Sequence, residues 1–156
     1  MPSRREQIEM STEEQLEFLE EERVVVATTI GPRGWPHSMP LWYTVRDGEL
    51  WAWTFGKSQK VKNLERDNRC TLLVEAGGEY QELRGVQIET EAEVIRDPGV
   101  VLDFAKELTV RYSDGIEEIE GDAAAGLEAQ VPKRVAIHFH PVRTASWDHR
   151  KLGGIY

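Results

Sequence analysis

Two hydrophobic rhythms alternate along the chain, and the points where one gives way to the other mark its elements. RVVVATTI, from about Arg23 to Ile30, is a β-branched run that predicts a buried strand. PHSMPLWYTV and ELWAWTF follow, parted by Arg46-Asp47-Gly48, and an Asp-Gly pair between apolar runs predicts a hairpin. Residues 24–55 thus read as a three-stranded antiparallel meander. RCTLLVEA, a Gly77-Gly78 turn and EYQELRGVQIETEAEVI supply two further strands. In the second of these, Val86, Ile88, Thr90, Ala92 and Val94 alternate with Gln87, Glu89, Glu91 and Glu93, giving one core face and one wet face. RVAIHFHPVRTASWDHR ends the pattern as one or two closing strands.

Helical periods fill the gaps. Ser11 or Thr12, with Glu14 or Gln15 as capping-box partner, starts a helix bearing Leu16, Phe18 and Leu19. Ser58 caps a second helix that runs roughly to Asp67 with Val61 and Leu64 turned inward. Asp97-Pro98 opens a third, with Val101, Phe104, Leu108 and Tyr112 on one stripe. SDGIEEIEGDAAAGLEAQ reads as an acidic loop plus a short helix. The sum is a mainly β (α+β) chain of six or seven mostly sequential antiparallel strands and about three helices. A small closed or partly closed β-barrel with peripheral helices best disposes of the strand edges.

Charge narrows the function. The 156 residues suit one domain, and Asp+Glu 28 against Lys+Arg 19 leave a net charge of -9, which disfavours binding to phosphate backbones of nucleic acids. The single cysteine, Cys70, lies in an apolar run and reads as a buried small hydrophobe. No stretch approaches the ~18 apolar residues of a membrane span, so a cytoplasmic protein is expected. GxGxxG, Walker, GxSxG and HExxH signatures are absent. His138 and His140 share one face of a strand, a spacing able to hold a metal. With no third ligand nearby in sequence they read as polar residues on a half-exposed strand, and no metal site is expected.

In this acidic chain the basic segment Trp53–Asp67, WTFGKSQKVKNLERD, stands out. Lys57 precedes the Ser58 cap, and Lys60 and Lys62 fall in the first helical turn, where the helix dipole disfavours cations. Free N–H groups, a hydroxyl and several ammonium groups at a helix start form an anion site. Lysines facing water would explain the charge alone. Trp53 directly upstream favours a phosphate carried on a planar ring.

The order of GPRGWPHSMPLW, WAWTFGKSQKVKNLERDNRCTLLVE, YQELRGVQIETEAEVI and SWDHRKLGGIY resembles the split β-barrel flavoproteins related to pyridoxamine 5'-phosphate oxidase, over about residues 20–156. Within them it is most similar to the oxidoreductases that use FMN or coenzyme F420. The resemblance implies a split barrel in which His37, Ser38, Met39 and Pro40 lie along the cofactor ring, and Trp53 and Thr54 flank ring and ribityl chain. It implies that Ser58, Gln59 and Lys60 hold the phosphate, with Lys57 assisting, and that Arg84, Gly85 and Trp147 reach the cofactor from the partner of a homodimer. Gln59 stands where the oxidase has a phosphate-binding arginine, and KLGGIY lacks the oxidase's substrate-binding Arg and His; oxidation of pyridoxamine phosphate is therefore not expected. The implied activity is hydride transfer between F420 or FMN and a small conjugated planar substrate, with no obligatory catalytic side chain. The KSxKVKNLxRD segment and the SWDH-type ending resemble the F420-using branch more closely. Split barrels of this kind also serve as non-catalytic flavin, F420 or haem carriers and sensors, the alternative reading.

Overall fold

The computed structural model describes residues 1–154; Ile155 and Tyr156, which end SWDHRKLGGIY, lie outside the described residues. Six strands run β1 (Val24–Ile30), β2 (Pro36–Arg46), β3 (Glu49–Phe55), β4 (Arg69–Ala76), β5 (Arg84–Ile95) and β6 (Arg134–Asp148). They close into an antiparallel barrel in the order β1-β2-β3-β6-β5-β4, with β4 returning to pair β1. The mainly β barrel expected from the strand pattern is the fold observed.

Local chemistry explains most boundaries. Asp47 and Gly48 turn the β2–β3 hairpin with φ of 51 and 78°, the left-handed pair that a tight hairpin requires. The helices are α1 (Arg4–Ile8), α2 (Thr12–Glu21), α3 (Gln59–Arg66), α4 (Pro98–Tyr112) and α5 (Gly121–Gln130). Ser11 and Glu14 form the reciprocal capping box of α2, Ser58 caps α3, and Asp97 with Pro98 opens α4. Helix α1 is additional to the expected set, and it carries the same signature, a Ser3–Glu6 capping box.

Two expectations are corrected, and one alternative is settled. The strand expected to begin at Glu79 begins at Arg84, because Tyr80–Glu82 form a 3-10 turn. Gly77, at φ 109° and with Glu82 O only 2.5 Å from where a Cβ would stand, lets the chain double back there. The closing segment is one strand with a register shift opposite Glu89 and Thr90, where Thr90 pairs Pro141 and Glu89 pairs Arg143; that bulge bends the strand without ending it. In α2, Phe18 and Leu19 are buried, whereas Leu16 is exposed.

Two apolar layers result. Inside the barrel Val25, Tyr43, Leu50, Leu72, Val86, Ile137 and Phe139 are buried together with Val61 and Leu64 of α3, which covers one barrel end. Outside it, Val101, Phe104 and Leu108 of α4 pack on Ala136, Trp51 and Trp53. The Tyr43 hydroxyl donates to Leu19 O at 2.6 Å and ties α2 to the wall.

Candidate cofactor site

The barrel wall is not paired throughout. The β2–β3 ladder covers Tyr43–Arg46 against Glu49–Ala52. Beyond it Pro36–Trp42 continue along β1, and Trp53–Phe55 continue along β6. His37–Pro40 and Trp53–Thr54, the stretches assigned to the cofactor, are thus the parts of β2 and β3 that leave each other, and α3 starts just after this divergence.

At that helix start the geometry favours an anion. Ser58 Oγ accepts from Val61 N as the cap. Lys60 reaches back so that Nζ donates to Thr54 Oγ1 at 3.0 Å, and Thr54 is buried. Burial, and then the nearby Arg134 charge, lower the Lys60 pKa below the ordinary lysine value. Two cations that repel each other beside a helix N-terminus are arranged for a negatively charged guest. Arg134 is the residue that local sequence reasoning missed. It opens β6, pairs with Phe55, and lays its guanidinium 4.7 Å from the Trp53 ring centroid and 3.8 Å from that of Phe55. Its Nε is buried with no hydrogen-bond partner, as is Nδ1 of His37. Buried polar atoms left unpaired are costly, so both fit a guest that supplies the missing acceptor or donor.

Lys57 lines a cleft of about 390 Å³ together with Phe55, Gly56, Arg96, Lys133 and Arg134. The four basic residues come from the β3–α3 turn, the end of β5 and the start of β6. Arg96 is paired with Glu65.

Other assigned residues are placed differently from one another. The Gln59 amide donates to Asn63 Oδ1 at 2.8 Å, so it braces α3 from within. Asn63, fully buried, donates in turn to Thr29 Oγ1 at 3.0 Å. Ser38 exchanges a 2.8 Å hydroxyl bond with Thr28, and Met39 is exposed. Trp53, opposite in facing to Thr54, packs in the outer layer under Arg134. Arg84 donates to Glu21 at 3.4 Å and covers the Phe18 ring. Gly85 pairs with Trp147 across the β5–β6 ladder. Arg84, Gly85 and Trp147 therefore stand together, at the opposite end of β6 from Arg134.

The sequence profile of pyridoxamine 5'-phosphate oxidase matches residues 11–148. The chain belongs to this family. A conserved hypothetical protein of Mycobacterium tuberculosis is 37% identical, with a TM-score of 0.88 over 99% of this chain and 95% of that one. An F420 reductase shares the fold at 21% identity and a TM-score of 0.63, covering 83% of this chain and 94% of its own. A FAD-binding protein from Mesorhizobium loti does so at 20% identity and 0.65, covering 88% and 94%. No curated protein matches the sequence. Among the described residues of this family member, no helix is long and apolar enough to cross a membrane.

Proposed function

We propose that this protein is an oxidoreductase that binds a phosphate-bearing flavin or deazaflavin, F420 in preference to FMN, and exchanges hydride between it and a small conjugated planar substrate. The observation that carries the reading is the convergence of Lys60, Ser58 and Arg134 at the start of α3, directly beside the divergence of β2 and β3. Ser58, Lys60 and Arg134 bind the phosphate, His37–Pro40 line the ring, and His37 Nδ1 engages its polar edge. The bound ring supplies the hydride chemistry; the protein supplies orientation and exclusion of water.

The preference for F420 rests on Lys57, Arg96, Lys133 and Arg134. F420 carries an acidic tail beyond its phosphate, and a cleft lined by Lys57, Lys133 and Arg134, with Arg96 already paired to Glu65, suits such a tail better than it suits FMN, which ends at the phosphate.

Arg84, Gly85 and Trp147 enter the site from a second copy in this proposal, since β6 carries them away from Arg134 in their own chain. The outer surface of β1 and β2 supports such pairing. Val24 and Trp42 are cross-strand partners and expose 46% and 56% of their surface, an apolar pair of the kind that marks an interface between copies.

Visible absorption and fluorescence titrations with F420, FMN and haem test the proposal. Saturable binding of F420 or FMN, weakened by about 10- to 100-fold in Lys60→Ala, supports it. Binding of haem alone would favour the carrier reading, and binding of none would end the oxidoreductase reading.

A further inference from the structure

A second constellation lies on the outer barrel wall, away from the α3 start. His138 and His140 project from the same face of β6, and their ring centroids stand 3.8 Å apart. The third ligand absent nearby in sequence is supplied by the β3–β6 pairing: Glu49, from the far end of the β2–β3 hairpin, places Oε2 3.0 Å from His138 Nε2. One ligand atom from each of Glu49, His138 and His140 lies within 4.8 Å of the others. Glu93, from β5 on the other side of β6, stands with Oε1 3.2 Å from His140 Nε2.

We propose that Glu49, His138 and His140 form a binding site for a divalent first-row transition ion of the zinc type, with Glu93 as the partner that holds His140. Donor atoms arranged tetrahedrally around one ion at ~2.0–2.1 Å stand roughly 3.3 Å from each other. The Glu49–His138 spacing is already close to that edge length. Two imidazoles and a carboxylate are the donor set that borderline divalent ions prefer over Mg²⁺ or Ca²⁺, and the two carboxylates balance the charge of the ion. The rings are also preorganised. Trp51 stacks on His138 at 4.2 Å and 15°, and the His138 side chain is only 15% exposed. The adjacent cation, Arg46, is neutralised by Glu107 and turned onto the Trp51 ring. His140 is nearly half exposed, so the ion keeps a solvent-facing position. An ion held there would clamp three neighbouring strands at once, β3 through Glu49, β6 through both histidines, and β5 through Glu93. Cys70 does not compete, because burial pushes its thiol up to about 12 and keeps it protonated.

The test uses the full-length protein stripped with a chelator and then titrated with Zn²⁺ by calorimetry and with Co²⁺ by visible absorption. One Zn²⁺ per chain is expected, with ligand-field bands for Co²⁺ and a Tm that rises with Zn²⁺. Glu49→Gln and His140→Ala, both at the protein surface, each weaken uptake by about 100-fold or more and remove the rise in Tm. Glu93→Gln weakens uptake by about ten-fold, as for an outer partner of a ligand. Absence of saturable uptake by the parent, or unchanged uptake by Glu49→Gln and His140→Ala, would overturn the proposal.

Discussion

The indole of Trp147 lies against Gly85 so closely that a Cβ at residue 85 would stand 2.1 Å from Cζ2 and 2.5 Å from Cε2. Glycine is required here by the neighbouring ring, because the pairing of Gly85 with Trp147 puts both on one face of the β5–β6 ladder. Gly85→Ala must therefore drive the indole off. We expect a loss of about 1–3 kcal/mol, typical of overpacking, visible as a lower Tm and an altered tryptophan emission spectrum. If Trp147 serves the partner's cofactor, the same variant binds that cofactor more weakly.

Charge removal at the start of α3 separates the phosphate contacts. Lys60→Ala deletes the one ammonium that reaches Thr54 and should weaken binding of F420 or FMN by about 10- to 100-fold, the worth of a charge-assisted hydrogen bond. Arg134→Lys keeps the charge yet loses the planar stack on Trp53 and Phe55. It is expected to fall between the parent and Arg134→Ala in equilibrium titrations.

The direction of the pH dependence follows from Lys60. Burial first and Arg134 second lower its pKa in the free protein, so between that value and the unfolded lysine value the unfolded chain binds more protons, and stability rises with pH across the window. A phosphate partner favours the charged form and pulls the pKa back up. Cofactor affinity must then fall as pH rises through the free-protein pKa, with proton uptake on binding. Lys60→Met should flatten both profiles, measured by thermal melts and by titration at several pH values.

Asn63 holds the helix that carries the site. Fully buried, it receives the Gln59 amide and donates to Thr29. Asn63→Ala strands the buried Thr29 hydroxyl and frees the exposed Gln59 amide to water, and should cost about 1–3 kcal/mol. Denaturant unfolding measures the loss, and the phosphate ligands stay chemically intact.

Much of this was legible from local pattern. The Asp47-Gly48 turn, the Ser11 and Ser58 caps, the Asp97-Pro98 helix start and the alternation from Val86 to Val94 are encoded within a few residues, and each appears where local physics places it. Helix α1 is encoded just as locally, by the Ser3–Glu6 capping box. What local pattern does not contain is pairing across the barrel. Arg134 comes beside Phe55, and Glu49 beside His138, only because β3 and β6 are neighbours in the closed sheet. Gln59 shows the converse: its position fits a phosphate ligand, yet its amide is taken up by Asn63 one helical turn on.

The most direct measurement is the equilibrium titration of the purified protein with F420 and, separately, with FMN, followed by absorption and fluorescence and repeated on Lys60→Ala. The account predicts saturable binding, tighter for F420 than for FMN, and a weakening of about 10- to 100-fold in the variant. Binding of neither cofactor, or equal binding by Lys60→Ala and the parent, would contradict it.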